Sequence, residues 1–299
     1  MTEYSNCNIC PRRCGVDRTN GKLGICGMND ELYIARAALH FWEEPCISGE
    51  NGSGTVFFSG CNLRCVYCQN RNIAIGNVGR SITAERLCEI FFELRDKGAN
   101  NINLVTPTHY LPHIIKSITE AKRQGFDLPF VYNTSAYESV EGLKRLEGLV
   151  DIYLPDYKYS VDKDAEKYSR AKDYPDTAMA AIDEMKRQQP RCIITDNIMR
   201  RGVIIRHLLL PGKVLASKIA LKRLFERYGN ELYYSIMSQY TPLPHVRDYP
   251  ELNRRVSDSE YRSLCDYAAE LGMENAFVQS GESVGESFIP DFNFEGVDS

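Results

Sequence analysis

The sequence predicts an α/β fold: a partial (β/α)6 barrel with a small Cys-rich metal-binding lobe at its N-terminus. Two observations carry this reading. From about Gly54 onward, short apolar runs alternate with longer stretches of helical period, the pattern of a parallel sheet with crossover helices. Before that point Cys7, Cys10, Cys14 and Cys26 are interleaved with turn-prone glycines and asparagines, and so short a segment buries little core of its own. Six strand–helix units fall two short of a closed eightfold barrel. The chain accordingly divides into a metal-binding lobe at 1–50, a core at 51–250, and a C-terminal helix and tail at 251–299 that pack on the core.

Taken in order, the lobe ends in a strand from Ile34 to Trp42, followed by a connection from Pro45 to Gly54. The core strands are expected at Val56–Ser59, Asn101–Thr106, Phe130–Asn133, Ile152–Leu154, Val203–Leu210 and Tyr233–Ser238. Between them, Thr83–Lys97 opens on a Thr cap and carries Leu87, Phe91 and Leu94 on one face. Leu111–Gly125, Ser139–Gly148, Tyr174–Gln189 and Lys213–Tyr228 share the helical period. Ser257–Gly272 begins with a Ser257/Glu260 capping box and stops at glycine.

Composition narrows the function. The chain has 299 residues, a net charge of −4 and a pI near 5.8, so no global basic field points to nucleic acid. No stretch approaches the roughly 18–20 apolar residues of a membrane span, and the polar N-terminus lacks a secretory apolar region. Eleven cysteines, grouped as C-x2-C and C-x3-C-x2-C, read as metal ligands in a reducing compartment rather than as disulfides. A cytoplasmic protein of a low-oxygen niche is expected.

The segment Cys61-Asn62-Leu63-Arg64-Cys65-Val66-Tyr67-Cys68 follows the apolar run Val56-Phe57-Phe58 and Gly60. Three thiolates at this spacing suit three corners of one [4Fe–4S] cube, which needs four ligands. No fourth cysteine follows before Cys88, so one iron is left for a ligand that is not protein. The bland alternative is a zinc knuckle. With its aromatic before the third cysteine, the motif resembles the signature of the radical S-adenosylmethionine (SAM) superfamily. That resemblance implies that the SAM amino and carboxylate groups bind the open iron, and that an electron from the cluster breaks the sulfonium C–S bond. The 5′-deoxyadenosyl radical so formed abstracts a hydrogen atom.

In α/β folds chemistry gathers at the C-terminal strand ends, where the unusual residues of this chain fall. Cys61–Arg71, including Asn70, resembles the cluster loop of glycyl-radical-enzyme activating enzymes such as the pyruvate formate-lyase activase, which sets Tyr67 against the SAM adenine or, failing that, in the core. The second strand ends in Thr106-Pro107-Thr108-His109-Tyr110, where radical SAM enzymes usually have Gly-Gly-Glu; Thr106, Thr108 and His109 are the candidate contacts in its place. Asn133 and Thr134 close the third strand, where the activases have a similar polar turn. Asp156-x-Lys158 matches the activases' Asp-x-Lys motif, and residues i and i+2 of an extended segment point the same way, so both charges can meet zwitterionic SAM. Arg206 interrupts an apolar strand; buried arginine is costly unless paired, so its partner is SAM, the substrate, or a protein acid such as Asp156. Met237-Ser238-Gln239-Tyr240 forms a polar mouth at the sixth strand.

Cys7, Cys10, Cys14 and Cys26 can close a tetrahedral zinc site or hold a second iron–sulfur cluster; the reading leans to the cluster because the other site already requires iron–sulfur assembly. Arg12-Arg13 is read as a solvated turn. The opening Cys7–Arg18, together with Phe57-Phe58-Ser59-Gly60-Cys61, Thr106-Pro107-Thr108-His109 and Met237-Ser238-Gln239-Tyr240, resembles the PflX-like proteins over essentially the whole chain. That resemblance implies a radical SAM enzyme acting on the glycine of a glycyl radical enzyme and fed by a reductase such as flavodoxin or ferredoxin. The alternatives are a radical SAM maturase or small-molecule enzyme, and a non-catalytic metal-binding scaffold.

Overall fold

The computed structural model describes residues 3–278 and 290–298. Nine consecutive neighbours build one sheet, ordered β10-β9-β8-β6-β5-β4-β2-β1-β3. In chain order these strands are β1 (Leu32–His40), β2 (Ser53–Phe58), β3 (Arg80–Ile82), β4 (Ile102–Val105), β5 (Phe130–Thr134) and β6 (Ile152–Pro155), followed by β7 (Ile193–Thr195), β8 (Ile198–Leu208), β9 (Tyr233–Met237) and β10 (Ala276–Val278). β2, β4, β5, β6, β8, β9 and β10 run parallel, each beside the next. The protein is therefore α/β with a mostly parallel central sheet.

Each of the six expected core strands is present. The structure adds a seventh parallel strand, β10, and two hairpin pieces. β7 pairs antiparallel with the start of β8, which begins at Ile198 rather than Val203 because Asp196 and Asn197, both at positive φ, form the turn. β3 pairs with β1. β1 lies antiparallel along β2, so this part of the 1–50 segment continues the sheet. The C-terminal tail returns to the same edge: Phe294 N–H donates to Ala35 O and Ala37 N–H to Glu295 O. The section of the expected C-terminal region at 279–289 lies outside the described residues.

The long helices are α3 (Ala84–Asp96), α4 (Leu111–Arg123), α7 (Tyr174–Gln188), α8 (Val214–Tyr228) and α9 (Asp258–Glu270); α1 (Pro45–Ser48), α2 (Arg71–Ala74), α5 (Val140–Lys144) and α6 (Asp162–Ser169) are short. Thr83 caps α3 through Arg86 N–H, and α9 carries the complete Ser257/Glu260 capping box. α3 and α4 bury Leu87, Phe91, Leu94, Ile114 and Ile118 against Val56, Phe58, Ile102 and Leu104. The alternation of a strand sends Phe57, between Val56 and Phe58, to the other side, into the cleft described next. Among the described residues no helix is long and apolar enough to cross a membrane.

Candidate active site

The C-terminal ends of β2, β4, β5, β6, β8 and β9 open onto one cleft of about 250 Å³. Its wall includes Cys61, Cys65, Cys68, Tyr67 and Asn70 from the loop after β2. Thr106, Asn133, Thr134, Asp156, Lys158 and Arg206 come from the following strand ends. The structure thus brings together eleven sequence-predicted residues that are up to 145 positions apart in the chain.

The cysteine loop is held by unusual backbone and by a clamp. Gly60 sits at φ 84°, and a Cβ there would come within 2.3 Å of Met28 and 2.9 Å of His109, so only glycine fits. Asn62 is fully buried, with its Nδ2 donating to Tyr137 O at 2.7 Å. Arg12 donates to four carbonyls at once: Asn62 (2.8 Å), Leu63 (3.4 Å), Ser169 (2.7 Å) and Arg170. The expected solvated turn at Arg12 is therefore corrected. Its guanidinium ties the loop to the start of the second half of the chain and lies over the Tyr137 ring.

Sulfur and charge complete this wall. Cys61 Sγ accepts from Arg64 N–H at 3.5 Å and Cys65 Sγ from Ser169 Oγ at 3.1 Å, the kind of bond that tunes cluster sulfurs. Burial pushes the Cys61 thiol up and, with the neighbouring cysteines, pushes Cys68 to about 12. These thiols hold their protons near neutrality until a metal displaces them. Among the described residues no three His, Cys, Asp or Glu side chains converge for a single ion. A cube asks for something different, since each thiolate takes its own iron, and three thiols along one wall fit it.

An ion network lines the same cleft. Arg206 Nε donates to Asp156 Oδ1 at 2.7 Å, its Nη1 to Glu43 Oε2 at 3.0 Å and its Nη2 to Asn133 Oδ1 at 2.6 Å. Lys158 Nζ reaches the other Asp156 oxygen at 2.7 Å, as the i, i+2 spacing predicts, and Asn103 Nδ2 donates to Glu43 Oε1 at 3.0 Å. Burial alone would raise Asp156, but Arg206 and Lys158 together outweigh it and hold the carboxyl below its usual value. Glu43 has one cation rather than two, so there burial wins and its carboxyl is raised. The network carries two acids and two bases on a wall with room beside it, which suits a ligand bearing both an ammonium and a carboxylate.

Two predicted residues stand elsewhere. Thr108 is buried and donates to Glu138 Oε1 at 2.6 Å. His109 is 1 % exposed, with Nε2 on Ser59 O at 2.8 Å, and it faces the N-terminal cysteines rather than this cleft. Thr106 does line the cleft, at φ 62°, a backbone state that β-branched residues rarely adopt and that glycine takes freely. The turn geometry of a glycine is kept without the glycine. Glu43 was not anticipated. It lies in the connection after β1, and only the adjacent acids Glu43-Glu44 in a short, otherwise apolar stretch hinted at it.

Residues 55–201 match the family model of the Radical SAM superfamily. This segment is similar to the Radical SAM superfamily. The matched segment spans the cysteine loop, β4, β5, β6 and the start of β8. Over 280 residues the chain is 29 % identical to an uncharacterized protein of Methanocaldococcus jannaschii, covering 91 % of this chain and 76 % of that one. Among solved structures, SuiB of Streptococcus suis bound to its precursor peptide SuiA aligns with a TM-score of 0.49 at 13 % identity, over 74 % of this chain and 47 % of that one. The FeFe-hydrogenase maturase HydG of Carboxydothermus hydrogenoformans aligns with a TM-score of 0.48 at 15 % identity, over 77 % and 58 %. The chain thus spans about half the length of SuiB and under two thirds of HydG.

Proposed function

We propose that this protein is a radical SAM enzyme: it reductively cleaves SAM and uses the 5′-deoxyadenosyl radical to take a hydrogen atom from its substrate. One observation carries the reading: the three cysteines of a single loop share a cleft with a network that presents both signs of charge. Cys61, Cys65 and Cys68 would hold the cluster, with no fourth protein thiol on that wall among the described residues. When bound, the cluster supplies the electron that breaks the sulfonium C–S bond. Asp156 and Glu43 would take the SAM ammonium, and Lys158 and Arg206 its carboxylate. Asn133 and Thr134 stand within the same cleft for the ribose. Tyr67, packed edge-on against Tyr159, Tyr168 and Tyr240, offers a fixed ring for the adenine.

The substrate that the PflX-like motifs favour is the glycine of a glycyl radical enzyme, with the electron drawn from a flavodoxin or ferredoxin in the cytoplasm. The test begins anaerobically. The reconstituted protein is reduced with dithionite, given SAM, and assayed for 5′-deoxyadenosine. Product that disappears in Cys61→Ala supports the reading; no product from a protein with a full cluster refutes it. Deuterium passing into 5′-deoxyadenosine from a partner enzyme made with α-deuterated glycine supports the glycyl substrate, and transfer only from small molecules refutes it.

A further inference from the structure

The cleft leaves unused the four cysteines of the N-terminal segment, and the structure gathers them. Cys7, Cys10, Cys14 and Cys26 line one small cavity with Arg12, Arg18 and His109. The backbone is folded around it: Cys7 N–H donates to Val16 O, Gly15 N–H to Cys7 O and Arg13 N–H to Cys10 O. A Cβ on Gly24 would lie 3.3 Å from Cys26 Sγ and 3.6 Å from Cys14 Sγ, so the chain passes directly over two of the sulfurs.

Two further groups point to an anionic occupant. Arg18 is fully buried. Its Nε and Nη2 donate to Asn29 O, its Nη1 to His109 O at 2.9 Å and to Cys7 Sγ at 3.7 Å, and its guanidinium lies over the Tyr4 ring. No carboxylate among the described residues forms an ion pair with it. A fully buried guanidinium with no carboxylate partner is strongly unfavourable unless an anion faces it. Four metal-bound thiolates in the same cavity would supply that anion. His109 lines the same cavity; its Nε2 is committed to Ser59 O, while its buried Nδ1 has no partner.

We propose that Cys7, Cys10, Cys14 and Cys26 hold a second [4Fe–4S] cluster, closed by four thiolates and countered by Arg18. Zinc would draw four thiolates onto one ion at about 2.3 Å, whereas a cube gives each thiolate its own iron. With no iron left open, this cluster takes neither SAM nor substrate. Its chemistry is the gain and loss of one electron, with no bond made or broken and a low-potential one-electron reductant as the source. It would sit against the other site: Cys61 N–H donates to Cys26 O at 3.1 Å, and Ser59, which receives His109, lies two residues before Cys61.

The proposal does not depend on what the cleft binds, and its test separates the two. Full-length protein and the triple variant Cys61→Ala/Cys65→Ala/Cys68→Ala are reconstituted anaerobically, analysed for iron, sulfide and zinc, then reduced with dithionite and examined by electron paramagnetic resonance. The folded triple variant should keep about half the wild-type iron and sulfide, as two equal cubes require, and give a signal that SAM does not alter. A folded triple variant without iron, or with zinc in its place, overturns the proposal. Should that variant fail to fold, the wild type decides: a SAM-insensitive signal beside any SAM-sensitive one is expected, and a single SAM-sensitive signal overturns the idea. Arg18→Met, which removes the cation, should move the midpoint potential of the SAM-insensitive signal to more negative values. No movement refutes the role of Arg18.

Discussion

Replacing Arg206 with methionine tests the logic of the ion network. The substitution keeps an apolar chain of similar reach and removes three hydrogen bonds, to Asp156, Glu43 and Asn133. The three charged side chains are 14 %, 16 % and 9 % exposed, so solvent screens them little. Breaking a buried pair by deleting one partner costs about 3–5 kcal/mol, because the remaining charge is left uncompensated. Glu43 is left with no cation and Asp156 with Lys158 alone, which puts the expected loss at the upper part of that range. The sign with pH follows from linkage. Without Arg206, the folded-state carboxyls rise above their unfolded values, so the fold binds protons that the unfolded chain releases. The loss is therefore largest near pH 8 and shrinks as the pH falls toward the unfolded carboxylate values near 4. Urea unfolding of the anaerobic protein at pH 5 and pH 8, with Arg206→Lys alongside, reads this directly. Lysine keeps the charge but not the fork, so it should cost less, about 1–3 kcal/mol. A methionine variant within about 1 kcal/mol of wild type at both pH values would refute the argument.

Further outcomes follow from single residues. Glu138 is buried, and burial lifts its carboxyl from 4.5 to about 7; a raised carboxyl stabilises below its unfolded value and loses that contribution as pH rises. Stability should therefore fall by about 3 kcal/mol from pH 4.5 to 7, and Glu138→Gln should flatten that slope in urea titrations. Thr106→Gly relieves a left-handed backbone worth about 1–3 kcal/mol at an entropic cost of about 0.5–1 kcal/mol. The midpoint should hold or rise, and a drop of more than about 1 kcal/mol contradicts the strain. Arg12→Met removes the clamp on the cysteine loop and leaves four carbonyls without their donor. Thermal unfolding should come earlier, by about 2–4 kcal/mol, and iron uptake at the loop should fall with it. If iron content is untouched, the clamp does not position the loop.

Much of this architecture was legible because local signals and tertiary demands agree. Thr83, Ser139 and Ser257 announce helices that begin where their side chains cap them. The strand ends were legible for the same reason: Asp156, Lys158 and Arg206 are polar in apolar runs and must meet partners. What the sequence hid are long-range contacts that leave no local trace. Glu43 reaches the cleft only because β1 doubles back along β2. Arg12 resembles an ordinary basic turn until the carbonyls of Ser169 and Arg170 come to it. His109 sits at a strand end, where residues commonly face the cleft, yet the 3₁₀ turn Thr108–Tyr110 directs it to the other cavity.

The Arg12 clamp also sets a schedule. Cys61, Cys65 and Cys68 leave the ribosome well before Ser169 and Arg170, whose carbonyls the clamp requires. About 105 residues separate Cys65 from Arg170, and at about 5–20 residues/s that interval lasts about 5–20 s. Through it the ligand loop is made but not yet shaped, its thiols open to oxygen and to stray metal. Under the proposed function, delivery of iron and sulfide to this loop would then fall late in synthesis or after release, and conditions that lengthen the interval should leave more of the protein without a cluster there.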